Sequence, residues 1–157
     1  MFYRPVYALL FNLSRDAAAA EDLTQETFAS AWERMGAFDG RGALGAWLYR
    51  IGYNKFIDAQ RSLARKKTAL SEKARSSVTS PQNPLDGVLC DERSEQLHEA
   101  IGRLDTADRE VIVIHYLQGL SLSQTAELLG QPVGTVKWRV SEALARLRVS
   151  LNGRTTP

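Results

Sequence analysis

The chain has 157 residues, of which 44% are hydrophobic and 24% charged, enough for one packed core or two small ones and too apolar for disorder throughout. Its net charge of +2 makes no case for nucleic acid by itself, so any such case rests on where the charges sit. A single cysteine, Cys90, excludes an intramolecular disulfide framework, and with His98 and His115 far apart in sequence no metal cluster is expected.

Val6, Leu9, Leu10 and Leu13 keep helical spacing and predict a first helix from about Pro5 to Leu13 with one apolar side. Arg4 and Pro5 interrupt the apolar start, and no cleavage site or ~20-residue span follows, so neither a signal peptide nor a membrane anchor is expected. A reducing cytoplasm fits. Asp16 can cap a second helix that carries Glu21, Leu23, Phe28, Ala31 and Trp32, with the tetrad Ala17 to Ala20 favouring helix formation. The acids Asp16, Glu21, Asp22, Glu26, Glu33 and Asp39 are opposed in this stretch by Arg34 alone. Composition reads that acidity as a solvated helix face.

Phe38 to Trp47, FDGRGALGAW, holds three glycines and predicts a mobile loop with an aromatic at each end, able to open around a ligand. In the following WLYRIGYNKFIDAQRSLARKK, Trp47, Leu48, Ile51, Phe56 and Ile57 can face a core. The same segment presents Arg50, Asn54, Lys55, Arg61, Arg65, Lys66 and Lys67 against Asp58 alone. This basic stripe, interleaved with Tyr49 and Tyr53, is either a solvated amphipathic face or a phosphate-contacting surface with base stacking nearby. From Thr68 to about Asp91 the serines, Pro81, Pro84 and Gly87 sustain no stripe and read as a linker.

Regular structure resumes with Leu97, Ile101 and Leu104, then Val111, Ile112, Ile114 and Leu117. These give two helices broken near Asp105, whose carboxylate can cap the second. Ser121 and Gln124 form a capping box for a short helix with Ala126, Leu128 and Leu129 on its buried face. Gly130 stands where that helix would end in a left-handed residue, and the next opens around Pro132 or Val133. Val133, Val136, Val140, Leu144 and Leu147 form its apolar stripe, leaving Thr135, Lys137, Trp138, Arg139, Glu142, Arg146 and Arg148 for solvent or a partner. The spacing of Ala126, Gly130 and Val136 is that of a helix-turn-helix, with an ordinary helical hairpin as the plainer reading. Thr135, Lys137, Trp138 and Arg139 are the candidates for touching base edges, Trp138 either contacting DNA or turning aside to pack.

Three segments in register, AEDLTQETFASAW (Ala20 to Trp32), FDGRGALGAWLYRIGYNKFIDAQR (Phe38 to Arg61) and GLSLSQTAELLGQPVGTVKWRVSEALARLR (Gly119 to Arg148), resemble the extracytoplasmic-function (ECF, group IV) sigma factors of the sigma-70 family. The resemblance implies an all-α chain of two small helical domains: a region-2 bundle over 1–67 and a region-4 helix-turn-helix domain over 93–152. A flexible linker over 68–92 joins them, without regions 1.1 or 3. It implies binding to core RNA polymerase, with Asp22, Gln25 and Glu26 on the β′ clamp helices and the second domain on the β flap. Promoter DNA would be met at the −10 element by Phe38, Arg41, Leu44, Arg50, Asn54, Lys55 and Arg61, and at the −35 element by Thr135, Lys137, Trp138 and Arg139. An anti-sigma factor is a plausible further partner; no cofactor, small-molecule substrate or membrane insertion is implied. The chain departs from the family in having Gly42, Ala43 and Leu44 where many relatives have Ser-Ser-Phe. It also has Gly52, Tyr53 and Asn54 for Ala-Arg-Asn, and Trp138 for a serine.

Rival readings are a stand-alone helix-turn-helix regulator acting on duplex DNA without polymerase, and a helical adaptor whose charged faces dock proteins only. An enzyme fits least, because neither histidine has a paired nucleophile or acid at a recognisable spacing and no phosphate-binding glycine motif is present.

Overall fold

The computed structural model describes residues 1–70 and 92–153, and among these all regular structure is helical. The chain separates into two units, Met1–Gln82 and Asn83–Pro157. Most of the expected linker, together with Cys90, lies outside the described residues.

The first unit packs three helices against one another: α1 (Tyr3–Ser14), α2 (Ala17–Glu33) and α3 (Leu44–Ala69). In α1, Val6, Leu9, Leu10, Phe11 and Leu13 are buried, each full burial of this kind contributing about 1.5–3 kcal/mol. Along its flank Tyr7 stacks between Tyr3 and Phe11, and Tyr3 also stacks on Phe28 of α2. Burial, with the Glu21 carboxylate nearby, raises the Tyr7 phenol above its ordinary pKa. Arg15 ends α1 in the left-handed region, and Asp16 then caps α2 by accepting from the Ala19 amide at 3.1 Å.

The inner face of α2 is made of Leu23 and the small or hydroxyl residues Ala20, Thr24, Thr27 and Ala31. The Thr24 and Thr27 hydroxyls donate to the carbonyls of Ala20 and Leu23, both at 2.6 Å, so they are buried with their hydrogen bonds made inside the helix. This low profile lets α3 approach closely at Gly52. A Cβ there would stand 3.3 Å from Thr27 Oγ1 and 3.7 Å from Leu10 Cδ1.

The second unit is organised around its last helix. In order come α4 (Glu92–Arg103), α5 (Thr106–Ile112) running into a π-helical turn (Val113–Leu117), α6 (Leu122–Leu129) and α7 (Val133–Asn152); α7 packs on α4, α5 and α6. Asp105 caps α5 through the Asp108 amide at 2.8 Å. Arg109 reaches back to donate to the carbonyls of Gly102 and Leu104, both at 2.9 Å, satisfying acceptors at the end of α4. The capping box on α6 is complete, with the Gln124 amide donating to Ser121 Oγ at 3.1 Å and the Ser121 amide to Gln124 Oε1 at 2.9 Å. Gly130 takes φ +64, a left-handed geometry that costs glycine nothing, and Pro132 stands immediately before α7.

Several expectations are corrected. Helix α3 begins at Leu44, so Leu44 and Trp47 belong to its first turn and the loop is shorter than Phe38 to Trp47; with Ala43 extended at the cap, Gly45 is simply carried into the helix. Tyr53 is 7% exposed and packs on Phe56, because a position one past Gly52 faces inward where α3 meets α1 and α2. It is no stacking platform. Leu117 is turned outward beside exposed Tyr116, since the π turn inserts an extra residue and rotates the stripe that Val111, Ile112 and Ile114 keep. Val133 is likewise exposed, and the buried face of α7 is Val136, Val140, Ala143 and Leu147.

Arg146, left by the sequence for solvent or a partner, bonds to Asp108 and reaches Asp105 at 3.3 Å, joining α7 to the start of α5. Asp108 is 2% exposed, so this guanidinium partners a carboxylate that water does not reach. Replacing Arg146 with Met should lower the stability of the second unit by about 1–3 kcal/mol, the range for stranding a buried polar group. Urea unfolding of the full chain followed by circular dichroism measures this, and an unchanged transition would show that the pair holds nothing. At Gly52, substitution by Val should cost about 1–3 kcal/mol through overpacking against Thr27 and Leu10. The same unfolding experiment would refute the close-approach account if this variant matched the parent.

Candidate nucleic-acid interface

In the first unit the exposed chemistry lies on two helices and the turn between them. After α2, a 3-10 turn (Met35–Ala37) leads to Phe38, whose ring lies 5.2 Å from that of Trp47 at a tilt of 43°. The two aromatics expected at the ends of an open loop therefore touch and close its base. Within it the Arg41 amide donates to Asp39 Oδ1 at 2.9 Å, an Asx-type turn, with Gly42 at φ +121 where a side chain would be strained. Arg41 itself is exposed, its guanidinium 3.9 Å from the Asp39 carboxylate. Ala43 caps α3 without a side-chain oxygen, so the positive end of that helix faces the turn uncovered by a side-chain acceptor. Leu44 is half-buried beside it.

Along α3, Arg50, Asn54 and Arg61 are exposed, while Lys55 is half-buried and stands 4.0 Å from Glu26 of α2. Thus one expected polymerase contact and one expected DNA contact pair with each other across the groove between the helices. Burial raises the phenol of Tyr49 above its ordinary pKa.

On α2, Asp22, Gln25 and Glu26 are exposed, and helical spacing carries the ridge of Asp22 and Gln25 on through Ala29 to Trp32. Trp32 is 80% exposed. The sequence reading placed Trp32 in this helix but assigned it no contact; the signal that could have found it is the continuation of the 22, 25, 29, 32 spacing beside a run of acids.

In the second unit Thr135, Lys137 and Trp138 are exposed in the first two turns of α7, and Trp138 is 60% exposed. Trp138 therefore does not pack on the neighbouring helix. Arg139 is half-buried, with its Nε–H in the interior and without an acceptor among the described residues. Arg148 is exposed further along the helix. His115 at the π turn uses Nδ1–H to donate to the Leu120 carbonyl at 2.6 Å, which ties the turn to the start of the helix-turn-helix. Among the described residues no group of His, Cys, Asp and Glu is arranged to hold a metal ion, and no helix is long and apolar enough to cross a membrane.

Comparison with known proteins accounts for this layout. Residues 1–66 match the Sigma-70 region 2 family and residues 94–147 the Sigma-70, region 4 family. The chain is 32% identical over 154 residues to the ECF RNA polymerase sigma factor SigW of Bacillus subtilis, covering 93% of this chain and 82% of that protein. It is 33% identical over 146 residues to the ECF RNA polymerase sigma factor BldN of Streptomyces coelicolor, covering 90% of this chain and 55% of BldN. Among solved structures it resembles the sigma factor RpoE of Bartonella quintana, crystallised with the anti-sigma factor NepR, with a TM-score of 0.81 and 29% identity over 96% of this chain and 92% of that one. Both region families in order, together with this identity across most of SigW, mean that the chain belongs to the ECF sigma factors of the sigma-70 family, which are transcription initiation factors.

Proposed function

We propose that this chain binds core RNA polymerase through the outer ridge of α2 and directs it to promoters through two DNA surfaces. The first is the Phe38–Ala43 turn with the outer face of α3, at the −10 element; the second is the start of α7, at the −35 element. The observation that carries this reading is the segregation of chemistry. Acids and an exposed Trp32 share one helix, while cations lie on another helix of the same unit and on a helix-turn-helix in the other. On α2, Asp22, Gln25 and Glu26 supply polar contacts to the β′ clamp helices and Trp32 an apolar anchor of the kind interfaces favour. The Glu26–Lys55 pair is exposed enough to be worth only about 0–1 kcal/mol, so docking that recruits Glu26 releases Lys55 for phosphate at little cost.

No catalytic step is asked of this protein. Melting duplex DNA costs about 1.4 kcal/mol per base-pair step, and each base held on an aromatic or apolar surface returns roughly 1–3 kcal/mol. Phe38 and Trp47, whose rings touch, offer such a surface beside the turn, with Leu44 in the same first turn of α3 as Trp47. Two DNA-binding units on one chain raise each other's effective concentration at paired elements, so neither needs high affinity alone. The second unit also meets the β flap, and the site of action is the cytoplasm. An anti-sigma partner is supported by the complexes in which relatives were solved, RpoE with NepR and CnrH with the cytosolic domain of CnrY.

Replacing Asp22 and Gln25 together with Ala should weaken binding to core polymerase while leaving the fold intact, since exposed substitutions usually move stability by less than about 0.5 kcal/mol. A titration against core enzyme that gives the parental affinity would return these residues to a solvated face. In the second unit Arg139→Ala should relax preference at one −35 base pair by about 1–3 kcal/mol, the discrimination of a lost bidentate guanine contact. Arg148→Ala should instead weaken all sequences alike and flatten the salt slope by roughly one unit. Transcription of a randomised −35 library checks this: identical selected sequences for parent and Arg139→Ala would exclude base reading by Arg139.

A further inference from the structure

The outward ridge of α7 has one large side chain between small ones. Val136, Val140, Ala143 and Leu147 turn toward the core, and the residues on the opposite side of the helix, following steps of four, three and four, are Gly134, Trp138, Ser141 and Ala145. A Cβ built at Gly134 would meet nothing within 4 Å, and Ala145 and Ser141 add little beyond the backbone. Gly134 stands four residues before Trp138 on the same ridge, and with nothing within 4 Å of a Cβ built there the space on the N-terminal side of the indole is open. A helix with such flanks can enter a groove deeply. Its most protruding side chain is then an indole, with a broad ring face.

That face is apolar, and the indole offers a single polar atom, the Nε1–H donor. Among the groups on the major-groove floor, the C5-methyl of thymine is the apolar one, and apolar side chains read it by contact. Arg139 and Lys137 flank the ridge with charge, while Trp138 occupies its crest at 60% exposure. Resting on the −35 reading above, we propose that Trp138 is a specificity-determining residue that recognises thymine methyl groups in the −35 element, giving this factor a preference for A·T pairs beneath its second helical turn. Burying one methyl group corresponds to about fourfold in affinity, and two methyls against one indole to roughly an order of magnitude.

The test uses the full chain assembled with core polymerase on a promoter selected from a randomised −35 library. Each thymine of the −35 element, on either strand, is replaced in turn by deoxyuridine, which removes only the methyl. Binding by the parent holoenzyme should fall about fourfold at one or two positions, and the same replacements should be silent with Trp138→Ser, whose fold is checked by circular dichroism. A scan that is flat with the parent, or one that costs the Ser variant as much as the parent, overturns the methyl reading while leaving the −35 interface standing. Scrambling the whole −35 element provides the separate control. If that leaves binding unchanged, the interface itself is wrong and the methyl reading falls with it.

Discussion

A recognition helix can offer its outer face only when its inner face and rotation are fixed, and in the second unit the buried carboxylate of Asp108 does much of that fixing. Asp108 sits inside the first turn of α5, under the cap formed by Asp105, and Arg146 from α7 closes on both acids. Apolar contact alone would let α7 roll, because Val136, Val140, Ala143 and Leu147 are small or branched and smooth. A directional ion pair at one end and the Gly130 turn at the other define the rotation. With the rotation defined, Thr135, Lys137 and Trp138 are turned outward in the first two turns of the helix.

The first unit solves a different problem, which is to hold oppositely charged faces on adjacent helices without collapsing one onto the other. Thr24, Thr27 and Gly52 make the α2–α3 contact thin, so packing is close and the charged residues are carried around to the outer sides. Glu26 and Lys55 mark where the two faces meet, at 4.0 Å. A contact this exposed joins the helices loosely in electrostatic terms and leaves both residues open to exchange partners.

Much of this was legible in the residues because it is local chemistry. The Asp16, Asp105 and Ser121–Gln124 caps, the left-handed Gly130 and the four-residue periodicity of Val136 and Val140 each need only neighbours in sequence, and each stands as expected. The failures required knowledge of what packs against what. Tyr53 read as an exposed aromatic on a basic stripe because nothing in sequence says that Gly52 marks the contact with α2. Arg146 could be left only for solvent or an unnamed partner, because its partners lie about forty residues earlier, at Asp105 and Asp108. Leu117 read as core because a π turn leaves the pattern of apolar residues unchanged while shifting the face they occupy. Of the candidate contacts, Asp22, Gln25, Glu26, Arg41, Arg50, Asn54, Arg61, Thr135, Lys137 and Trp138 are exposed. Phe38, Leu44, Lys55 and Arg139 are half-buried.

The central claim is that this chain confers promoter selectivity on polymerase, reading and holding DNA while the polymerase supplies the chemistry. Run-off transcription from a library of bacterial promoter fragments, with core polymerase alone and with core plus this protein, tests that claim most directly. The account predicts discrete transcripts that require the protein, come from a subset of fragments, and disappear when either the −10 or the −35 element is replaced. Transcription no different from core enzyme alone, despite sequence-specific binding of the protein to duplex DNA without polymerase, would contradict it and return the helix-turn-helix to a stand-alone regulator.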